Sequence, residues 1–190
     1  MKSLLFAALC AALSTGSAGA WAQDASGRGG FLVRGDLEFG GDDLVTVDFD
    51  EGDSQTIKAG QGVSAGVGGW FRPLVDNPLE IHALVGLKYV TTAADNADVN
   101  VSRVVLKLDG VYRFSNDWFA SIGLTHHSSP ELDGDGFFED ISFDDATGVT
   151  LGVGWKWIGL NYTNIEYSSE FYEDVDASSI GLSFTYRFGQ

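Results

Sequence analysis

From Phe31 to Phe188 the apolar residues recur at every second position, and no segment sustains a helical period. This period gives each segment two unlike faces, one for an apolar surrounding and one for a polar one. Eight such runs follow one another. The first carries Phe31, Val33, Leu37 and Phe39, the second Val63, Ala65, Val67 and Phe71, and the third the odd positions from Leu79 to Tyr89. The fourth has Val104, Leu106, Leu108, Tyr112 and Phe114, with Val105 and Val111 interrupting its polar side. The fifth has Trp118, Ala120, Ile122 and Leu124, and the sixth the odd positions from Val149 to Trp157. In the seventh the apolar parity changes between Tyr162 and Ile165, which predicts a bulge. The eighth sets Ile180, Leu182, Phe184, Tyr186 and Phe188 against Ser179, Gly181, Ser183, Thr185 and Arg187.

The connections alternate in length. Those at Arg72 to Pro78, Ser115 to Asp117 and Ile158-Gly159 are short, whereas Gly40 to Thr56, Thr92 to Asp98, His126 to Thr147 and Ser168 to Ser178 are longer. Pro73, Pro78 and Pro130 all read as connection residues, where no ladder donor is needed. An even strand number, with short turns at one end and long loops at the other, predicts an all-β fold: an eight-stranded antiparallel transmembrane β-barrel with up-and-down meander order.

A soluble eight-stranded barrel has the same period with its apolar face inside, so alternation alone does not choose between the two. The aromatics do. Trp70, Trp118, Trp155 and Trp157 flank the short turns with Phe71, Phe114, Tyr186 and Phe188, as one interfacial girdle. Phe39, Phe49, Tyr89 and Tyr167 form a sparser second girdle near the long loops. The charges sort the same way: the long connections hold 19 of the 27 acidic residues and no Lys or Arg. Most basic residues lie on polar strand faces. The expected lumen network is Arg34, Asp36, Glu38, Lys58, Glu80, Lys88, Arg103, Lys107, Asp109, Arg113, Lys156 and Arg187, with Glu166 expected on the same faces. Such charges must pair, since an unpaired buried charge is costly, and they fill a barrel of this size. The expectation is a plugged lumen, with Arg103 neutralising a carboxylate.

A formal net charge of −16 excludes a nucleic-acid partner, because nothing offers the clustered cations that phosphates require. Residues 1–22 read as a secretory signal, with Lys2, the apolar stretch Leu4 to Leu13 and a small-x-small cleavage site at Ala20-Trp21-Ala22. Residues 23–30 then form a short N-terminal segment and 31–190 the barrel. Cys10 lies in the signal, which leaves the mature chain without a disulfide or a Cys-based metal site.

Gly181, Phe184, Tyr186 and Phe188 follow a polar-x-Gly-x-x-aromatic-x-aromatic pattern that resembles the C-terminal assembly signal of outer-membrane barrels. With the leader and the eight runs, the chain resembles the small porin-family barrels of the OmpA transmembrane, OmpW and opacity-protein kind. The resemblance implies an integral location in the outer membrane of a Gram-negative cell envelope. The partners it implies are outer-membrane lipid, lipopolysaccharide and the barrel assembly machinery, with the protein a monomer.

Two groups carry candidate chemistry. His126 and Ser128 share the lipid-facing parity at the end of the fifth run, and the same parity carries Asp145 outward. This resembles the His-x-Ser of lipid A 3-O-deacylase, and a Ser128, His126, Asp145 triad is the enzyme alternative. Ser129 stands where that family carries Asn, and the expectation is a non-enzyme with no catalytic residue. Asp133, Asp135, Glu139 and Asp140 alternate with Gly and aromatic residues in the third long loop, a pattern able to bind Ca²⁺ or Mg²⁺ although no full EF-hand spacing is present. No cofactor beyond such a loop-bound cation is expected. His82 faces the lumen as a hydrogen-bonded filler. The expected role is structural or in surface interaction, with a narrow small-solute channel as a further alternative.

Overall fold

The computed structural model describes residues 28–48, 54–74, 76–92, 99–134, 136, 139–169 and 174–189. The expected signal segment, Phe49 and Asp135 lie outside these residues. Eight strands form the wall: β1 (Gly29–Phe39), β4 (Gly62–Phe71), β5 (Leu79–Thr91), β6 (Asn100–Arg113), β7 (Trp118–Asp133), β9 (Ala146–Trp155), β10 (Ile158–Asn164) and β13 (Ser179–Arg187). Each pairs antiparallel with its chain neighbour, and β1 pairs with β13 from Leu32↔Arg187 to Phe39↔Ile180, which closes the barrel. Closure leaves no free edge, the condition for strands in a bilayer. The wall begins at Gly29, two residues before the expected start.

The remaining short strands extend the wall at the long-loop end. β2 (Asp43–Asp48) and β3 (Ser54–Lys58) make a hairpin, β8 (Ile141–Ser142) pairs with β7, and β11 (Glu166–Tyr167) pairs with β12 (Val175–Asp176).

The apolar parity faces outward. Val63, Leu87, Leu108, Ile122, Leu151 and Ile180 are each 49% to 63% exposed. A large exposed apolar belt around a barrel is a lipid-facing surface. Aromatic pairs ring the short-turn end, where Tyr186 and Phe188 have ring centroids 4.8 Å apart and Tyr112 and Phe114 5.1 Å apart. Trp118 and Trp155 oppose each other directly across β7 and β9.

Two girdle residues are corrected. Trp70 has the inward parity of β4 and is 1% exposed, its indole N–H donating to Phe188 O at 3.0 Å. It packs with Leu32 and Leu84 as an apolar stopper inside the short-turn end. Tyr167 is also inward and 1% exposed. No bulge interrupts the seventh run, because burial alternates without a break from Gly159 to Tyr167. Ile165 and Tyr167 look out of phase only because the barrel interior turns apolar at that height.

The bulge lies instead between β6 and β7. Ser102 opposes Glu131 and Val104 opposes Ser128, so Arg103 alone faces Ser129 and Pro130. Pro130 is therefore a strand residue and not a loop residue. It sits where the irregular ladder asks for no donor, and its carbonyl accepts from Phe143 N at 2.9 Å.

Candidate functional site

The interior is built in layers. Lowest, above the short turns, Glu80 is 0% exposed and accepts from four side chains: Arg72 Nη2 at 3.0 Å, Arg113 Nε at 2.8 Å, Arg187 Nη1 at 2.5 Å and His82 Nε2 at 3.1 Å. One carboxylate thus ties β4's end, β5, β6 and β13 together. Arg72 and Arg187 also lie over the Trp70 ring, at 5.5 and 5.2 Å from its centroid. His82 is the hydrogen-bonded filler of the sequence reading.

In the middle layer Asp36 meets Arg34 Nε at 2.9 Å, Lys107 Nζ at 3.2 Å and Ser64 Oγ at 3.1 Å, while Arg34 Nη1 reaches Asp109 at 3.1 Å. Above it Lys88 Nζ pairs with Glu38 at 2.9 Å and donates to Gly60 O at 2.6 Å. Glycines make room for these long side chains. A Cβ on Gly62 would stand 3.1 Å from Lys88 Cγ, and one on Gly181 would stand 2.6 Å from Glu38 Cγ.

Three expected members of this network are corrected. Lys58 belongs to the β2–β3 hairpin, 44% exposed, and pairs with Asp43 outside the lumen. Lys156 occupies the exposed turn after β9 with φ 55° and covers the Trp155 ring at 4.3 Å, because the chain reverses before its parity can bring it inside. Arg103 is inside and 2% exposed, yet its hydrogen bond goes to Gln61 O at 2.7 Å and its face to the Tyr167 ring at 5.8 Å. No carboxylate lies within ion-pair distance of it among the described residues. Glu166 is exposed and stands outside the network.

Above Arg103 the interior becomes apolar. Ile57, Val90, Val101, Leu132, Phe143 and Ile165 are among the residues of one buried cluster, with Tyr167 and Val175. This cap closes the long-loop end from within, and the sequence reading did not assign it. The signal was present in Val99, Val101, Ile165 and Tyr167, apolar residues on the polar parity. Beside the cap a cleft of about 620 Å³ opens between the β2–β3 hairpin, the β7–β8 segment and the β12 approach.

The three residues of the enzyme alternative do meet, in an order that serves structure. Ser128 Oγ donates to Asp145, both carboxylate oxygens lying at 3.1 Å, and the N–H of Ser129 donates to Oδ1 at 2.8 Å. His126 Nε2 stays 3.7 Å from Asp145, and its Nδ1 contacts Thr147 Oγ1 at 2.9 Å. A nucleophilic Ser gives its proton to the His, with the acid behind the His. Here the acid holds the Ser directly. Ser129 has φ 50°, and Asp145 satisfies the N–H that the bulge frees.

The Ser129 N–H, then the Ser128 hydroxyl, hold the Asp145 carboxyl below its ordinary range. A depressed native value means that the clamp is complete above the unfolded-state pKa and weakens as pH falls through the native one. Asp145→Asn should therefore remove part of the acid-side slope of loop-region stability, read as hydrogen exchange of Ser129 N–H between neutral and acid pH. An unchanged slope would show that the clamp does not titrate.

In the third loop Asp140 accepts from Gly134 N at 3.1 Å, and among the described residues no three His or acidic side chains gather as a metal-binding group. Asp135 lies outside the described residues. Gly181, Phe184, Tyr186 and Phe188 sit on or just past β13, the closing strand, with the three aromatic rings outward and the Phe188 N–H donating to Phe31 O at 2.8 Å.

No family model matches the chain, and no curated protein matches it. Among solved structures, Neisserial surface protein A (NspA) is similar at 13% identity and a TM-score of 0.49, over 83% of this chain and 97% of that one. Ail, the attachment invasion locus protein of Yersinia pestis, is similar at 8% identity and a TM-score of 0.44, over 84% and 98%. The class rests on the molecule itself, since a closed antiparallel meander with an apolar belt outside and buried ion pairs inside is stable only with lipid around it. The chain is a small eight-stranded barrel of the bacterial outer-membrane kind.

Proposed function

We propose that this protein is a non-enzymatic, closed barrel that acts at the cell surface through its extracellular cap and acidic loops. The observation that carries this reading is that the interior is obstructed at three heights, by Trp70 with the Glu80 cluster, by the Asp36 and Glu38 ion pairs, and by the apolar cap. Solute passage has no continuous path through such packing. The part left to meet other molecules is the loop end, where the acidic residues gather.

Lipopolysaccharide is the neighbour such loops would meet, through Ca²⁺ or Mg²⁺ bridging their carboxylates to its phosphates. The barrel would act as a monomer, delivered by the assembly machinery that reads Gly181, Phe184, Tyr186 and Phe188. Protease treatment of intact cells tests the surface reading: cleavage should fall in the acidic loops and spare the wall. Loops resistant on intact cells but cut after the outer membrane is opened would overturn it.

Planar-bilayer recordings of the purified barrel should show no large steady openings, and stable currents of porin size would promote the channel alternative. The direct Ser128 to Asp145 bond supports a non-enzyme. Wild type and Ser128→Ala should both release no 3-hydroxy fatty acid from lipopolysaccharide with Ca²⁺. Release that is lost in both Ser128→Ala and His126→Ala would establish the hydrolase instead.

A further inference from the structure

We propose that the cleft beside the cap is a docking site for a basic, apolar-bearing peptide segment of a protein met at the cell surface. The proposal rests on the surface role above and gives it a partner chemistry. The cleft measures about 620 Å³, a volume that holds a few large side chains and not a folded domain. Its lining is mixed, with polar groups the larger part of what is exposed and an apolar floor where Leu44 and Ile141 are half-buried against Leu132, Phe143 and Val175 of the cap. Among the described residues its rim carries Asp42, Asp43 and Asp174 against Lys58, which pairs with Asp43 and leaves the other two carboxylates in surplus.

The walls are held in place before any partner arrives. Asp42 N donates to Asp176 O at 2.7 Å, Asp176 N donates to the Asp42 carboxylate at 2.9 Å, and Ala59 N donates to Asp42 O at 2.8 Å. These bonds join the first and last long connections, so the cleft is preformed and loses little entropy on filling. An apolar floor selects an aromatic or aliphatic side chain, which gains by leaving water. A rim with a carboxylate surplus selects a Lys or Arg beside it and repels acidic segments. The complementary ligand is therefore a segment in which large apolar and basic residues stand next to each other.

The test uses the purified full barrel in nanodiscs of zwitterionic lipid and a short fluorescent peptide of alternating Lys and Phe. Peptides of Lys with Ser and of Glu with Phe are the comparisons. The Lys/Phe peptide should saturate one site, with both comparisons at least about tenfold weaker. Ile141→Lys, which charges the floor, and Asp174→Lys, which reverses the rim, should each weaken it about tenfold or more. Thr46→Lys adds the same single positive charge as Ile141→Lys on the exposed side of the β2–β3 hairpin, off the cleft, and should leave binding unchanged. Heat-modifiable gel mobility checks that every variant is folded. No saturable binding, equal binding of the Lys/Ser peptide, or an equal loss in Thr46→Lys would each overturn the docking site. The surface reading fails separately, by the intact-cell proteolysis.

Discussion

Replacing Glu80 by Leu should lower the unfolding free energy of the barrel in detergent by about 3–5 kcal/mol, the cost of stranding a buried charge partner. Glu80 is fully buried and accepts from Arg72, Arg113, Arg187 and His82 at once. Its loss leaves the guanidinium groups of Arg72, Arg113 and Arg187 crowded against one another without the carboxylate they share. Arg72 is 38% exposed and can turn to water, but Arg113 and Arg187 are 18% and 11% exposed and cannot do so freely. The readout is the urea midpoint followed by gel mobility of unheated samples. An unchanged midpoint would mean that the arginines are hydrated from the short-turn mouth and that the cluster is not holding the strands together.

Trp70→Ala should cost a similar amount, about 3–5 kcal/mol, by a different physical route. It removes the largest fully buried side chain, strips the apolar cover from Leu32 and Leu84, and deletes the bond to Phe188 O that joins β4 to the chain's closing end. Here the loss is one of packing and closure, so high salt should leave it unchanged while moderating that of Glu80→Leu. A midpoint shift below about 1 kcal/mol would show that the short-turn end is not sealed by Trp70.

The wall was legible because the two-residue period decides which side chains face out, and Leu32, Asp36, Glu38, Lys88 and Lys107 all follow it inward. What the period does not encode is height. Trp70 looks like a girdle residue until its parity is weighed against its nearness to the turn, and Tyr167 and Ile165 look like a register error until the interior is known to turn apolar above Arg103. Lys58 and Lys156 miss the lumen because they stand where the chain has left the wall. Arg103's environment was beyond reach for another reason. Its hydrogen-bond partner Gln61 comes from the connection before β4 and its ring neighbour Tyr167 from β11, and local pattern says nothing about contacts across the barrel. The meeting of Ser128, His126 and Asp145 followed from parity, whereas the order of their bonds depended on the bulge at Ser129.

The switch inside the barrel from Lys88 and Arg103 to Val90, Val101 and Leu132 has a consequence for where the molecule floats. Below that level the chain is inside-out, with ions within and oil without. Above it, the ordinary rule of a water-soluble protein returns, with oil within. The two regimes can share one continuous wall only if the outer surface of the lipid lies at the level of the change. Sliding the barrel outward would bare its belt to water, and sliding it inward would submerge the acidic loops in hydrocarbon. Lys88 and Arg103 thus act as a waterline drawn on the hull, fixing the draught of the protein in its membrane.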